Sequence, residues 1–264
     1  MGNKATVITI NVQKGGVGKT TTAHELAANL TGLGYKVLAI DLDQQMNLSR
    51  CSGAELTGYY TIYDVLKDKM DIEDSIQNGN NYDVAPAHKR FEFADKEFSS
   101  FEDVYRLTDA IEPVKGKYDF IILDTPPNLG ILPSMALTAA DWIVIPFEAS
   151  PSGLQGLGQL YGKIDAVKDP KRGTNPGLQV AGILLTMYEY RTTVAQGIVN
   201  QLKEGIAKTK EIDIFETFIR RGTAVKQSQA WKRCLNEHEP NSNPAEDYRN
   251  FTKELLNKIQ KGAK

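Results

Sequence analysis

Three groups of residues in this chain have the types and spacing to do chemistry. The first is Gln13-Lys14-Gly15-Gly16-Val17-Gly18-Lys19-Thr20-Thr21. Its glycines let successive backbone N–H groups turn into one concavity, the shape that holds phosphate oxygens. A helix opening at the end of the loop adds its own free donors. In that frame Lys19 reaches the β- and γ-phosphates of a nucleotide, and Thr20 places its hydroxyl on Mg²⁺. The second group is acidic: Asp41 and Asp43 follow Lys36-Val37-Leu38-Ala39-Ile40, and Asp124 follows Phe120-Ile121-Ile122-Leu123. Side chains alternate along a strand, so Asp41 and Asp43 are expected to face the phosphates together. A carboxylate fixed at a strand end, as Asp124 is, suits a divalent cation held through water. The third group is the stretch 219–233, which carries Arg220, Arg221, Lys226, Lys232 and Arg233 and no acid. Such a run can neutralise phosphates of a nucleic acid without reading bases. Taken alone, such a run reads first as a solvated face.

The elements that must position these groups follow from hydrophobic patterning. Ala5–Ile10, Lys36–Ile40, Tyr118–Leu123, Asp141–Ile145 and Val180–Leu185 are near-continuous apolar runs. Pro146 is read as closing the fourth of them. Between the runs lie helical patterns at 20–33, 61–69, 92–111, 131–139, 153–168 and 192–207. On the first helix Ala23, Leu26, Ala27 and Leu30 share a face, and Gly34 is the expected stop. Apolar strands separated by helices predict a mostly parallel sheet covered on both faces, a doubly wound α/β fold, since alternation appears only where one face is wet. No linker or repeat divides it, so residues 1–264 are read as one domain. In such sheets ligands sit at the carboxyl ends of the strands, which is where Asn11, Asp41, Asp124 and Pro146 fall.

Composition narrows the function classes. The chain has 264 residues with a formal net charge of −2, so a nucleic-acid partner must be met by a local patch. Cys51 and Cys234 lack CxxC spacing and are too few for a disulfide framework, which favours a reducing cytoplasm. Cys51 follows the second strand and Cys234 lies in the basic stretch, so neither falls in the segment after Asp124 where a cluster ligand would be wanted, which excludes an interfacial iron–sulfur cluster. His24, His88 and His238 are scattered, with no acid–base set for a metabolic enzyme. No run is long enough to span a bilayer. The opening Met-Gly-Asn-Lys-Ala-Thr fits a loose myristoylation pattern, but it runs directly into a strand. At the other end Tyr248, Phe251, Leu255 and Ile259 share one face of a helix, which either packs on the core or lies on a membrane.

The phosphate loop departs from the general pattern: Gln13 stands where the first glycine falls, and Lys14 is an added lysine inside the loop. In this, and in Asp41-Leu42-Asp43 and Asp124-Thr125-Pro126-Pro127, the chain resembles the deviant Walker-A ATPases, and the ParA/Soj partition branch in particular. The resemblance runs from Val7 nearly to the end and is weaker beyond residue 190. It implies an ATPase of weak intrinsic turnover that uses ATP and Mg²⁺. Gly15, Gly16, Val17, Gly18, Lys19, Thr20 and Thr21 would line the phosphates. Lys14 would cross a homodimer interface to the partner's ATP, in place of an arginine finger; a local phosphate contact is the alternative. By the same resemblance Asp43 handles the attacking water, and Asp41, with Thr20 and Asp124, supports the Mg²⁺ shell. The adenine falls to Thr186-Met187 and the loop following Pro146-Phe147. Nonspecific double-stranded DNA falls to Arg191 and one of Arg220 or Arg221, with Lys226 beside them. The family often reads Asp-Leu-Asp-Pro-Gln where this chain has Gln44, and Pro-Arg where it has Arg220-Arg221. A dozen residues before the loop leave no room for a helix-turn-helix, which implies the small class of the family. A ParB-like centromere-binding partner, a cytoplasmic, nucleoid-associated location and a DNA cargo complete the expectation. The alternatives are a MinD-like membrane-surface ATPase and a ParA-like ATPase positioning a protein cargo.

Overall fold

The computed structural model describes residues 4–189, 192–210 and 212–262. Seven strands form one sheet: β1 (Thr6–Ile10), β2 (Val37–Asp41), β3 (Gln77–Asn78), β4 (Asp83–Ala85), β5 (Phe120–Asp124), β6 (Trp142–Glu148) and β7 (Gln179–Thr186). Their order is β3-β4-β2-β5-β1-β6-β7, and every pairing is parallel except β3 with β4 at one edge. The helices are α1 (Lys19–Gly32), α2 (Asn47–Cys51), α3 (Ile62–Leu66), α4 (Ala94–Glu97), α5 (Arg106–Ile111), α6 (Ile131–Ala139), α7 (Pro151–Lys168), α8 (Thr193–Leu202), α9 (Ala224–Ala230), α10 (Leu235–His238) and α11 (Asn243–Gly262).

Alternation along each strand sends side chains to opposite faces, and both faces are covered. Val7, Leu38, Ile40, Ile121, Leu123, Ile143 and Ile145 pack with α3, α5, α6 and α7. Ile8, Ile10, Ala39, Phe120, Ile122 and Val144 pack with α1 and α11. The doubly wound reading therefore holds. Helix α1 buries Ala23, Leu26, Ala27 and Leu30 and ends before Gly34, whose φ of 93° only glycine adopts without strain. In α11, Tyr248, Phe251, Leu255 and Ile259 are all buried against this layer. Each contributes roughly 1.5–3 kcal/mol there, and no apolar face is left for lipid. No helix among the described residues is long and apolar enough to cross a membrane.

Three local expectations are corrected. Pro146 lies inside β6, buried and opposite Leu184 of β7, and does not close the strand. It is tolerated because β1 has already ended at Ile10, opposite Val144, so β6 has a partner on one side only at that point. The stretch 92–111 is not one helix: α4 and α5 are separated by Phe98–Phe101 and one short 3₁₀ turn, Glu102–Tyr105. The edge strand β3 and its neighbour β4 were not anticipated. Helix α8 passes into a π-helical turn, Lys203–Ala207, with Gly205 out of helical geometry.

Candidate nucleotide and metal site

Strands β1, β2 and β5 end together, with Asp124 in register with both Ile10 and Asp41. The loop after β1 turns on Gly16 and Gly18, at φ values of 76° and 84°, and delivers Lys19 as the first residue of α1. It is braced from behind, where the Thr186 hydroxyl donates to the Val17 carbonyl at 2.8 Å. Gln229 of α9 donates to the Thr21 hydroxyl at 2.9 Å. Thr125 donates to the Ile10 carbonyl at 2.9 Å and ties the loop after β5 to the same edge. The far end of that loop is also held: Asp95 accepts from the Ile131 N–H at 2.7 Å, and Lys163 donates to the Gly130 carbonyl at 3.1 Å.

The buried charges sort by whether their own chain satisfies them. Lys19 is buried and donates to the Lys14 carbonyl at 2.8 Å. Burial lowers its pKa, against the attraction of Asp124 and Asp43. Asp124 is fully buried, and neither carboxylate oxygen has a hydrogen-bond partner among the described residues. Burial and the neighbouring Asp41 push its pKa well above the usual carboxylate range, while Thr20 and Lys19 pull it down. A buried carboxylate with no partner, beside a hydroxyl, fits a hydrated divalent cation, whose charge restores the anion. Asp124 and Thr20 are thus the residues that would hold Mg²⁺.

Asp41 differs from expectation. Its Oδ1 accepts from the Asp43 N–H at 3.0 Å, and its Oδ2 accepts from the Ser49 N–H at 2.9 Å and the Ser49 hydroxyl at 2.7 Å. It therefore folds the turn after β2 onto the start of α2, with both oxygens engaged by that turn. Burial raises its pKa to about 6 even so. Asp43 lies beyond the strand end, so strand alternation does not place it, and its Oδ1 accepts from the Gln45 N–H at 2.9 Å. Among the described residues no hydrogen-bond donor reaches its Oδ2.

Lys14 is engaged with the end of β6 and the segment that follows it. Its ammonium donates to Glu148 Oε2 at 2.8 Å and to Ser150 Oγ at 2.6 Å, whereas Lys19 feels the attraction of Asp124 and Asp43. Neither Glu148 nor Ser150 was foreseen in the sequence. Gly156 of α7 lets the helix meet the loop here, since a Cβ would stand 3.1 Å from the Gln13 carbonyl. Both amide atoms of Gln13 are buried without a hydrogen-bond partner among the described residues. Met187, at a φ of 49°, lines a cavity of about 170 Å³ with Glu148, Ala149, Tyr188 and Arg221. The two segments expected to meet adenine thus converge, although Thr186 supports the phosphate loop and Pro146 is internal to β6.

The basic segment is divided. Arg220 donates through Nε and Nη2 to Asp247, and through Nη2 to Glu246 and the Asn243 carbonyl. It anchors the start of α11, and its Nε and Nη2 are committed to the acids and carbonyl of that helix start. Arg221 is more exposed and pairs with Glu189 at 2.7 Å and Glu148 at 3.5 Å. Lys226, Lys232 and Arg233 are exposed and make no ion pair among the described residues. Trp231 stands beside them 70% exposed, an aromatic the charge count passed over. Arg191 lies outside the described residues.

The family model described as an AAA domain matches residues 5–180. The chain is 35% identical over 253 residues to the sporulation initiation inhibitor protein Soj of Bacillus subtilis (strain 168), covering 94% of this chain and 97% of that one. It is 34% identical over 256 residues to the chromosome partitioning protein ParA of Myxococcus xanthus (strain DK1622), covering 95% and 87%. Among solved structures, a cobyrinic acid a,c-diamide synthase of Mycobacterium smegmatis with bound ATP analogue and magnesium superposes with a TM-score of 0.84 at 27% identity, covering 98% and 97%.

Proposed function

This chain belongs to the ParA/Soj family of partition ATPases, a membership that makes it an ATPase using ATP and Mg²⁺, and from that premise we propose how its residues divide the reaction. Lys19 and the loop N–H groups of Gly15–Thr21 hold the phosphates, and Thr20 with Asp124 holds the metal. Asp43, through its free oxygen, orients the attacking water. Asp41 keeps the Asp43 turn in place through Ser49. Lys14 completes the site of a second copy, so ATP closes two chains into a sandwich dimer.

One observation supports the dimer above the others. Lys14 lies outside its own charge cluster, with its ammonium on Glu148 and Ser150, while Lys19 fills the place inside. A lysine so placed adds nothing to its own phosphate cradle and is available to another. Duplex DNA is bound without sequence preference through phosphates, by Arg221, Lys226, Lys232 and Arg233, with Arg191 adjoining in sequence. Arg220 keeps that segment folded. A ParB-like adaptor on the cargo DNA stimulates hydrolysis, which returns monomers to the cytoplasm and moves the cargo over the nucleoid.

The test uses two lysine variants. Lys14→Ala retains ADP affinity within about threefold and loses turnover by at least about 100-fold, because only transition-state charge goes unmatched. Lys19→Ala loses nucleotide binding itself. Wild-type turnover in Lys14→Ala, measured by phosphate release, would remove the trans role.

A further inference from the structure

The seat that Lys14 occupies is built from two other parts of the chain. Glu148 ends β6, and Ser150 caps α7 by accepting from the Gly153 N–H at 3.2 Å. Lys14 and Glu148 are sheltered, with side chains 19% and 29% exposed. The remaining oxygen of Glu148 faces Arg221 at 3.5 Å, so one carboxylate is shared by two cations. Glu189 holds Arg221 from its other side at 2.7 Å and is not part of the Lys14 contact.

We propose that Glu148 and Ser150 are positioning residues for Lys14. They seat it in cis in the free chain, and the strength of that seat sets the protein concentration at which the ATP dimer forms. The proposal rests on the trans role of Lys14 given above. An ammonium on Glu148 cannot also lie on the partner's phosphates. A contact present in the monomer and broken in the dimer opposes assembly by mass action. Each dimer releases two such seats. Arg221 weakens the seat, since a second cation on the same carboxylate repels Lys14 and competes for its charge. The two neighbours of Lys14 therefore act with opposite sign. Removing the acid eases dimerisation, and removing the arginine hinders it.

The experiment is sedimentation of the full-length protein with ATPγS and Mg²⁺, in the absence of DNA, to find the concentration of half-dimerisation. In Glu148→Gln this concentration falls about fivefold, the effect of two partly sheltered ion pairs. In Glu148→Asp, which keeps the charge, it returns toward wild type. In Arg221→Ala it rises, while in Glu189→Gln it falls less than in Glu148→Gln. Thermal melting and ADP binding of each variant establish that it is folded. An unchanged or higher value in Glu148→Gln, or a lower value in Arg221→Ala, overturns the seat and leaves the dimer standing. A wild-type chain that stays monomeric with ATPγS overturns the dimer and the seat together.

Discussion

Asp41 and Asp124 lie side by side in register, yet only Asp41 is satisfied by its own chain. The difference predicts opposite consequences of neutralising them. Asp124→Asn replaces an acid whose ionisation burial opposes and whose oxygens find no hydrogen-bond partner among the described residues, so the nucleotide-free protein should gain roughly 1 kcal/mol of stability. Its Mg²⁺-dependent hydrolysis should be lost. Asp41→Asn leaves the Asp43 and Ser49 donors with a weaker acceptor and should lower the melting temperature. Thermal scans without nucleotide check both signs, and a destabilised Asp124→Asn would contradict the metal assignment. Asp43→Ala should keep ATP affinity, lose at least about tenfold in phosphate release, and hold the ATP form on DNA. The phosphate loop and these acids were legible in sequence because each motif is local and sits at the end of an apolar run. The Lys14 seat was not, because Glu148 lies 134 positions away in the chain. Nor did the sequence reveal that Asp41 turns its oxygens onto Ser49, which depends on where α2 begins.

At the scale of elements, the five long strands could be read from their β-branched runs, since burial on both faces erases any alternation. Strands β3 and β4 could not, because two- and three-residue elements with Gln77, Asn78 and Asp83 carry no apolar period. Helix α1 buries His24 and Glu25 beneath α10, where Glu25 accepts from the Leu235 N–H at 3.0 Å. Burial raises the Glu25 pKa from 4.5 to about 8 and lowers that of His24 from 6.5 to about 4. Between pH 4.5 and 8 the folded chain keeps a proton on Glu25 that the unfolded chain loses, so this group makes stability fall as pH rises. His24 acts oppositely between pH 4 and 6.5, where the unfolded chain binds the extra proton. From pH 6.5 to 8 the Glu25 effect stands alone of the two. Melting temperatures of wild type and Glu25→Gln should therefore diverge across that window, with the variant favoured at the higher pH. Parallel curves would contradict a protonated Glu25. The Arg220 anchor is also an element-scale feature. Arg220→Ala strands the buried Asp247 and should cost about 3 kcal/mol, whereas Arg221→Ala should leave melting within about 0.5 kcal/mol of wild type.

For the whole molecule, the sheet gathers the phosphate loop, the metal acid and the Asp43 turn at one edge, and the end of β6 and the segment before α9 bring Glu148 and Arg221 to the same end. The basic run was visible as composition. That Arg220 belongs to the fold, and that Arg221 shares its acid with Lys14, was not, since Asp247, Glu189 and Glu148 come from three other elements. The central claim joins that edge to DNA: nucleotide state decides whether the assembled molecule holds a duplex. It is tested most directly by fluorescence anisotropy of a random-sequence duplex titrated with the protein at low salt, with Mg²⁺ and either ATP or ADP. Binding with ATP that is lost with ADP, and that weakens steeply with added salt, is the predicted result. Equal binding with both nucleotides, or none with either, would contradict it.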